Sequence, residues 1–297
     1  MQLYYDKDKV IRGDFIVRAV LRSDLVPVPL TLEADIRADR ETKAFFAVGK
    51  SIHTYQGDDL EIIKSEYMPS GKSQGNDETA FVRIIAVLKH VKDVAFLKQR
   101  AIIKYNGTLA GAYRSAGATL RGISGDFSIA RFVCLAGEVP SYHISRALQE
   151  AGGVVRWKGG KLEFVALNAL FQQKPFDTIP NQNADDVNSG FLERHDVPAF
   201  YSLDADGKFV MGNNSKPRSL RYQPSANEVA LRNMTSCLVH EKTIRYQYAP
   251  AISAGDIINI EGAKPLVVMT AASLFEAGTD GGTPQQYTKL WLGRIER

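Results

Sequence analysis

The run from Pro140 to Ala166 fixes a local structure and, in the same step, demands a larger one around it. Pro140-Ser141 opens a helix, with either Ser141 as N-cap or Pro140 as the first helical residue. Ile144, Ala147, Leu148 and Ala151 fall at helical spacing on one face, and Gly152-Gly153 ends the helix. Two strands are predicted next, over 154–157 and 161–166, around a Lys158-Gly159-Gly160 turn. A helix leaning on one hairpin, about 25 residues in all, is too small to stand alone. The scaffold must come from the chain on either side.

Both flanks read as β-structure. Val28, Leu30, Leu32, Ala34 and Ile36 alternate with polar residues, and Pro29 suits the start or edge of a strand. Phe15, Val17, Ala19 and Leu21 form a similar set with Arg18 on the other face. Further strands are predicted over 61–67 and 79–88, separated by a turn across Pro69–Asn76. Val91–Phe96 reads as a turn or short helix, Ala101–Ile103 as a brief strand, and Thr108–Ala116 as a small helix stopped by Gly117. Residues 172–190, rich in asparagine, proline and acids, read as a linker. Beyond it, 198–203 and 208–211 flank an Asp204–Gly207 hairpin turn, and 235–239 and 243–248 flank His240-Glu241-Lys242. Strands over 257–260, 266–275 and 287–293 complete the set.

The expected fold class is thus mainly β with an α+β insert: two β-barrel-like domains joined by a small helix-plus-hairpin unit. The division expected is 1–90 for the first β-domain, 91–171 for the middle unit, 172–190 for the linker and 191–297 for the second β-domain. A chain of 297 residues with 44% hydrophobic content can bury a core in each half. No apolar run reaches membrane-spanning length, and the charged start MQLYYDKDKV lacks a signal-peptide core, so a cytoplasmic start is expected.

Charge is distributed unevenly. Residues 83–121 hold eight basic side chains, among them Arg83, Lys89, Lys92, Lys98, Arg100 and Lys104, against the single acid Asp93. Residues 176–206 hold seven acids against the single base Arg194. Such blocks mark a channel lining, a nucleic-acid surface or complementary interfaces, or else two solvated faces.

Catalytic and metal signatures are absent. Gly71-Lys72-Ser73 lacks the earlier glycine of a phosphate-binding loop, since position 66 is Glu66. Asp204-Ala205-Asp206-Gly207 has its glycine two positions too early for a calcium loop. Cys134 and Cys237 have no Cys or His companion at ligand spacing, and both read as buried free thiols. His143 is expected to face solvent, and His195-Asp196 are adjacent and so do not face one another on a strand. Gly122-Ile123-Ser124-Gly125 is not a hydrolase elbow. The acid pairs Asp58-Asp59 and Asp185-Asp186 sit beside turns, and Phe96, Tyr105 and Tyr113 are too irregular for a base-stacking platform. No catalytic residue, cofactor or metal is assigned.

The order of parts resembles a known family. RAIIKYNGTLAGAYRSAGA is followed by FSIARFVCLAGEVPSYHISRALQEAGGVVRWKGGKLEFVAL, then a linker and a closing β-domain. Within that domain Ala254-Gly255-Asp256 leads into a Val267–Ala271 strand, a glycine-rich excursion and a final Tyr-Thr strand. This resembles the bacteriophage baseplate or tail hub family, whose fold is shared by the N-terminal part of type VI secretion spike proteins. The resemblance is motif-specific over about 90 residues and architectural over the rest. It implies a homotrimer whose two β-domains per chain give a near-sixfold ring, placed in the virion baseplate and assembled in the host cytoplasm. The implied partners are the tail tube protein, a separately encoded central spike and the tape-measure protein, with DNA only in transit. The six basic residues named above then become candidates for a lumen or subunit interface. A tail-borne cell-wall hydrolase, or a carbohydrate- or nucleic-acid-binding module, is the alternative, because paired glycosidase acids leave no sequence signature.

Overall fold

In a computed structural model, the alternating segments of the first 90 residues pair into one antiparallel sheet. The structure describes residues 1–297 except 6–8, 39–41, 75–76, 181–183, 187–196, 213–218, 225, 279–282 and 297, and for 69–74, 77–79 and 184–186 the backbone alone. The strands are β1 (Leu3–Tyr5), β2 (Lys9–Val10), β3 (Ile16–Asp24), β4 (Leu30–Arg37), β5 (Ser51–Thr54), β6 (Asp59–Gln74) and β7 (Asp77–Leu88). They lie in the order β3-β4-β7-β6-β5-β1-β2. Period-2 alternation puts Leu30, Leu32, Ala34 and Ile36 of β4 on the buried face, with Ile84, Ala86 and Leu88 of β7 beside them.

The middle unit covers that buried face. A 3-10 turn, Lys89–Ala95, leads to β8 (Ile102–Thr108), α1 (Leu109–Ser115) and β9 (Ser128–Cys134), which pairs back onto β8. Thr108 caps α1 by accepting from the Gly111 amide. Next come α2 (Pro140–Glu150), the hairpin strands β10 (Gly153–Lys158) and β11 (Lys161–Ala166), and a single turn α3 (Leu167–Leu170). Pro140 is the first residue of α2, and no side chain caps it. Gly152, Gly159 and Gly160 all have positive φ, which is why glycine serves at the helix stop and the hairpin turn. Ile144, Ala147 and Leu148 from α2 and Val155, Trp157 and Leu162 from the hairpin share one apolar core with the β1–β7 sheet.

The second half contributes β12 (Asp177–Ile179), β13 (Ala184–Asp186), β14 (Ala199–Leu203), β15 (Phe209–Met211), β16 (Leu220–Tyr222), α4 (Glu228–Met234), β17 (Cys237–Gln247), β18 (Ile257–Ile260), β19 (Leu266–Glu276) and β20 (Gln285–Glu296). One edge of β19 pairs along its length with β20. The other edge is divided, with Leu266 and Val267 pairing with β18 and Thr270 to Glu276 pairing with β3. A single strand therefore belongs to both halves, and thirteen of the described strands form an open sheet whose path runs from β13 to β2, with no pairing among the described residues that closes a barrel. A separate core of Ile179, Ile244, Ile258, Val268, Leu290 and Leu292 lies under the second half. Leu167, Leu170, Ile257 and Val267 fill the junction between the halves.

The structure departs from the expected elements in several places, among them the strands β12 and β13 inside the stretch expected as a linker. Ile16, not Phe15, is buried, because the β3–β4 register shifts between Ile16 and Arg18 and reverses the inward phase. The turn expected across Pro69–Asn76 is narrower: strand continues to Gln74, with a register shift between Pro69 and Ser73, and Gly75-Asn76 lie outside the described residues. His240-Glu241-Lys242 does not separate two strands. It is a bulge inside β17, where the His240 ring bonds the Lys242 carbonyl (3.0 Å) and Thr243 hydroxyl (3.1 Å) and Glu241 pairs with Arg294. The helix α4 was not expected; Asn227 caps it, accepting from the Ala230 amide.

Candidate functional site: the junction and the exposed surfaces

Three consecutive residues of β10 tie the molecule together. Alternation sends Arg156 and Lys158 toward one side and Trp157 toward the other. Trp157 Nε1 donates to Asp58 at 2.7 Å, in the turn between β5 and β6, and both residues are buried. Asp58 also accepts from the Thr54 hydroxyl at 2.8 Å. On the opposite side the buried Arg156 donates to Glu163 (2.9 Å), Gln173 (2.7 Å) and the Gly255 carbonyl (3.3 Å). Lys158 Nζ donates to the buried Asp256 at 2.6 Å. Gly255 has φ near 90°, and a Cβ there would stand 2.8 Å from Arg156 Cδ, so the approach requires glycine. One hairpin strand thus bonds the first sheet with one face and the Gly255-Asp256 turn of the second half with the other.

The basic residues singled out from the sequence fall into two groups. Arg83 makes a two-point ion pair with Asp35 across β4–β7, at 2.7 and 3.0 Å, which holds its guanidinium pKa up. Lys89 bonds Ser51 (3.0 Å) and Asp59 (3.3 Å). Lys92 pairs with Glu61 (3.0 Å) and Asp93 (3.4 Å), and the Glu61 bond raises its pKa. These three are matched by acids from neighbouring strands. Arg100 and Lys104 are exposed and make no ion pair among the described residues, while Lys98 is half-buried.

The acidic block is similarly divided. Asp177 accepts from the Tyr246 hydroxyl, which holds its carboxyl below the ordinary range, helped by the Thr178 amide. Asp204 closes its hairpin turn by accepting from the Asp206 and Lys208 amides, both at 2.9 Å. Asp185 and Asp186 are described by backbone only, and Glu193, Arg194, His195 and Asp196 lie outside the described residues.

Two arrangements escaped the sequence reading. The small sheet β15-β14-β16 has α4 packed against it and turns out a face of Leu203, Phe209, Leu220 and Tyr222, all exposed, with the Tyr201 ring tilted against those of Phe209 (5.6 Å between centroids) and Tyr222 (5.4 Å). The second is a cluster at the entry to α2. His143 keeps part of its surface open to solvent, as expected, but its Nε2 also lies 2.9 Å from the Glu138 carboxylate and its ring sits edge-on to Phe132. Ligand atoms of Cys134, Glu138 and His143 all fall within 4.8 Å of one another. Cys134 is buried, as expected, but Cys237 is only partly so. No local spacing signals this cluster, because Gly137, at positive φ, reverses the chain between its members.

No helix among the described residues is long and apolar enough to cross a membrane. No family profile matches the chain, and no curated protein matches it in sequence. Solved structures do match. A tail protein from Neisseria meningitidis superposes with a TM-score of 0.64 at 12% identity, over 99% of this chain and 95% of its own. The chain has the fold of phage tail proteins. A 43 kDa tail protein of prophage MuSo2 from Shewanella oneidensis gives a TM-score of 0.60 at 10% identity, over 98% and 96% of the two chains. An E. coli type VI secretion component, described as structurally similar to the T4 tail proteins gp27 and gp5, gives 0.57 at 10% identity over 95% and 74%. This tail-protein fold is mainly β with an α+β insert, as the residues alone suggested.

Proposed function

We propose that the chain is a structural hub of a phage tail or tail-like particle: a homotrimeric ring that joins the tail tube to the central spike and lets DNA pass. The supporting observation is the likeness to tail proteins over nearly the full length of both chains. The domain division at 1–90, 91–171, 172–190 and 191–297 belongs to this reading, with each β-domain contributing one position to a near-sixfold collar. So do the tail tube, spike and tape-measure proteins as partners, the virion tail as location and a role without catalysis. The exposed aromatic face on β14–β16 and the open sheet ends are surfaces that assembly would cover. Arg83, Lys89 and Lys92 are already matched within the chain, so Lys98, Arg100 and Lys104 are the charges left to serve a lumen or a neighbouring subunit.

Light scattering on the eluting full chain, alone and with the spike protein, tests this. A trimer in either sample is expected. A monomer in both, or clearing of a peptidoglycan gel by that monomer, would overturn it.

A further inference from the structure

We propose that Cys134, Glu138 and His143 form a binding site for a zinc-class divalent cation at the entry to α2. The three groups come from different elements: the end of β9, the connecting loop and the first turn of α2. Their ligand atoms lie within 4.8 Å of one another, and the Glu138 and His143 atoms are already 2.9 Å apart. Tetrahedral zinc, with bonds of about 2.0–2.3 Å, sets its ligands about 3.3–3.8 Å apart, so loading shortens the longest separation by up to about 1 Å and opens the Glu138–His143 pair by about 0.4 Å.

The surroundings are built to hold these positions. The loop is tied to the neighbouring chain by two backbone bonds, Gly137 N–H to the Lys98 carbonyl (2.8 Å) and Lys98 N–H to the Glu138 carbonyl (3.0 Å). The Leu135 amide donates to Glu138 Oε2 at 2.6 Å, orienting the carboxylate as outer-shell bonds do around bound metals. Both that bond and the His143 contact fall on Oε2, and Oε1 takes part in neither. Phe132 braces the imidazole from the side. A sulfur, a nitrogen and a carboxylate oxygen are the donor set of zinc or cobalt rather than of calcium or magnesium. The sulfur is buried while His143 and Glu138 keep 26% and 41% of their side-chain surface exposed, so the fourth position opens to water. Binding forms the metal–sulfur, metal–nitrogen and metal–oxygen bonds and releases the thiol proton, and any proton held between Glu138 and His143, to solvent.

The test uses the full chain without a histidine tag, stripped of metal and titrated with zinc by calorimetry and with cobalt by absorption. One equivalent per chain is expected, with a thiolate-to-cobalt charge-transfer band. Cys134→Ser should abolish the band, and His143→Gln and Glu138→Gln should each weaken zinc binding by about tenfold or more. Because Cys134 is buried and its variant could fail to fold, the half-exposed His143→Gln carries the test independently. Absence of heat and band in natively folded protein would overturn the proposal, as would zinc binding unchanged in His143→Gln. Neither result bears on the hub reading, which concerns assembly.

Discussion

Replacing Trp157 with phenylalanine probes the clamp that β10 places between the two halves. The substitution removes a buried, charge-assisted hydrogen bond of 2.7 Å to Asp58 and leaves that carboxylate with the Thr54 hydroxyl at 2.8 Å. Loss of such a bond costs about 1.5–3 kcal/mol, and the smaller ring adds about 1 kcal/mol of cavity cost. The sum, about 3 kcal/mol, corresponds to a fall in Tm of about 6 °C for a chain this long. The bond itself is isolated by a cycle of Trp157→Phe, Asp58→Ala and the double variant in urea, where a coupling of about 1–3 kcal/mol is expected. The chain has two tryptophans, so in Trp157→Phe the fluorescence of Trp291 alone reports on β20, while circular dichroism reports on all strands. Additivity within about 0.5 kcal/mol would show that the contact carries no energy and would refute the clamp.

Three further outcomes are expected. Gly255→Ala combines left-handed strain with a 2.8 Å approach to Arg156 Cδ and should cost about 2–3 kcal/mol, whereas Gly159→Ala, at φ 57° with open space around it, should cost about 1 kcal/mol; equal urea midpoints for the two would contradict the close-approach argument. Tyr113→Phe strips the bond from a wholly buried hydroxyl to the Pro27 carbonyl (3.0 Å) and should destabilise by about 1 kcal/mol by thermal melting, with no change meaning that the carbonyl finds another donor. The Tyr246–Asp177 bond holds the carboxyl pKa down and, chiefly through the same bond, the phenol pKa up. Its contribution should be present above the ordinary carboxylate range and vanish as pH falls through the lowered Asp177 value; on the alkaline side it is full below the ordinary phenol range and is lost as pH rises through the raised Tyr246 value. The stability difference between the native chain and Tyr246→Phe should therefore be flat from about pH 5 to pH 9 and shrink at both ends, and a difference constant into acid would refute the assignment.

Much of the central unit was legible because its signals are local. The apolar spacing from Ile144 to Leu148, the Gly152-Gly153 stop and the Gly159-Gly160 turn each act within a few residues, and α2, β10 and β11 follow them. Most of what escaped depends on partners remote in sequence. Arg83, Lys89 and Lys92 look like a basic block when counted along the chain, yet Asp35, Asp59 and Glu61 neutralise them from adjacent strands. The pairing of β19 with β3 joins residues about 250 positions apart, and nothing near either strand announces it. His240-Glu241-Lys242 has the composition of a turn, but pairing on both sides with β20 makes it a bulge. The Cys134, Glu138 and His143 cluster depends on a loop reversal at Gly137 that no spacing rule captures.

The strand β19 has a mechanical consequence. Its early residues are laced to β18 and its later ones to β3, so a pull entering through the first sheet reaches the second along the covalent backbone of one strand. Swinging the halves apart would mean unzipping rungs from a single rail that β20 stiffens along its other edge. A load applied to one half therefore has a continuous hydrogen-bonded path into the other.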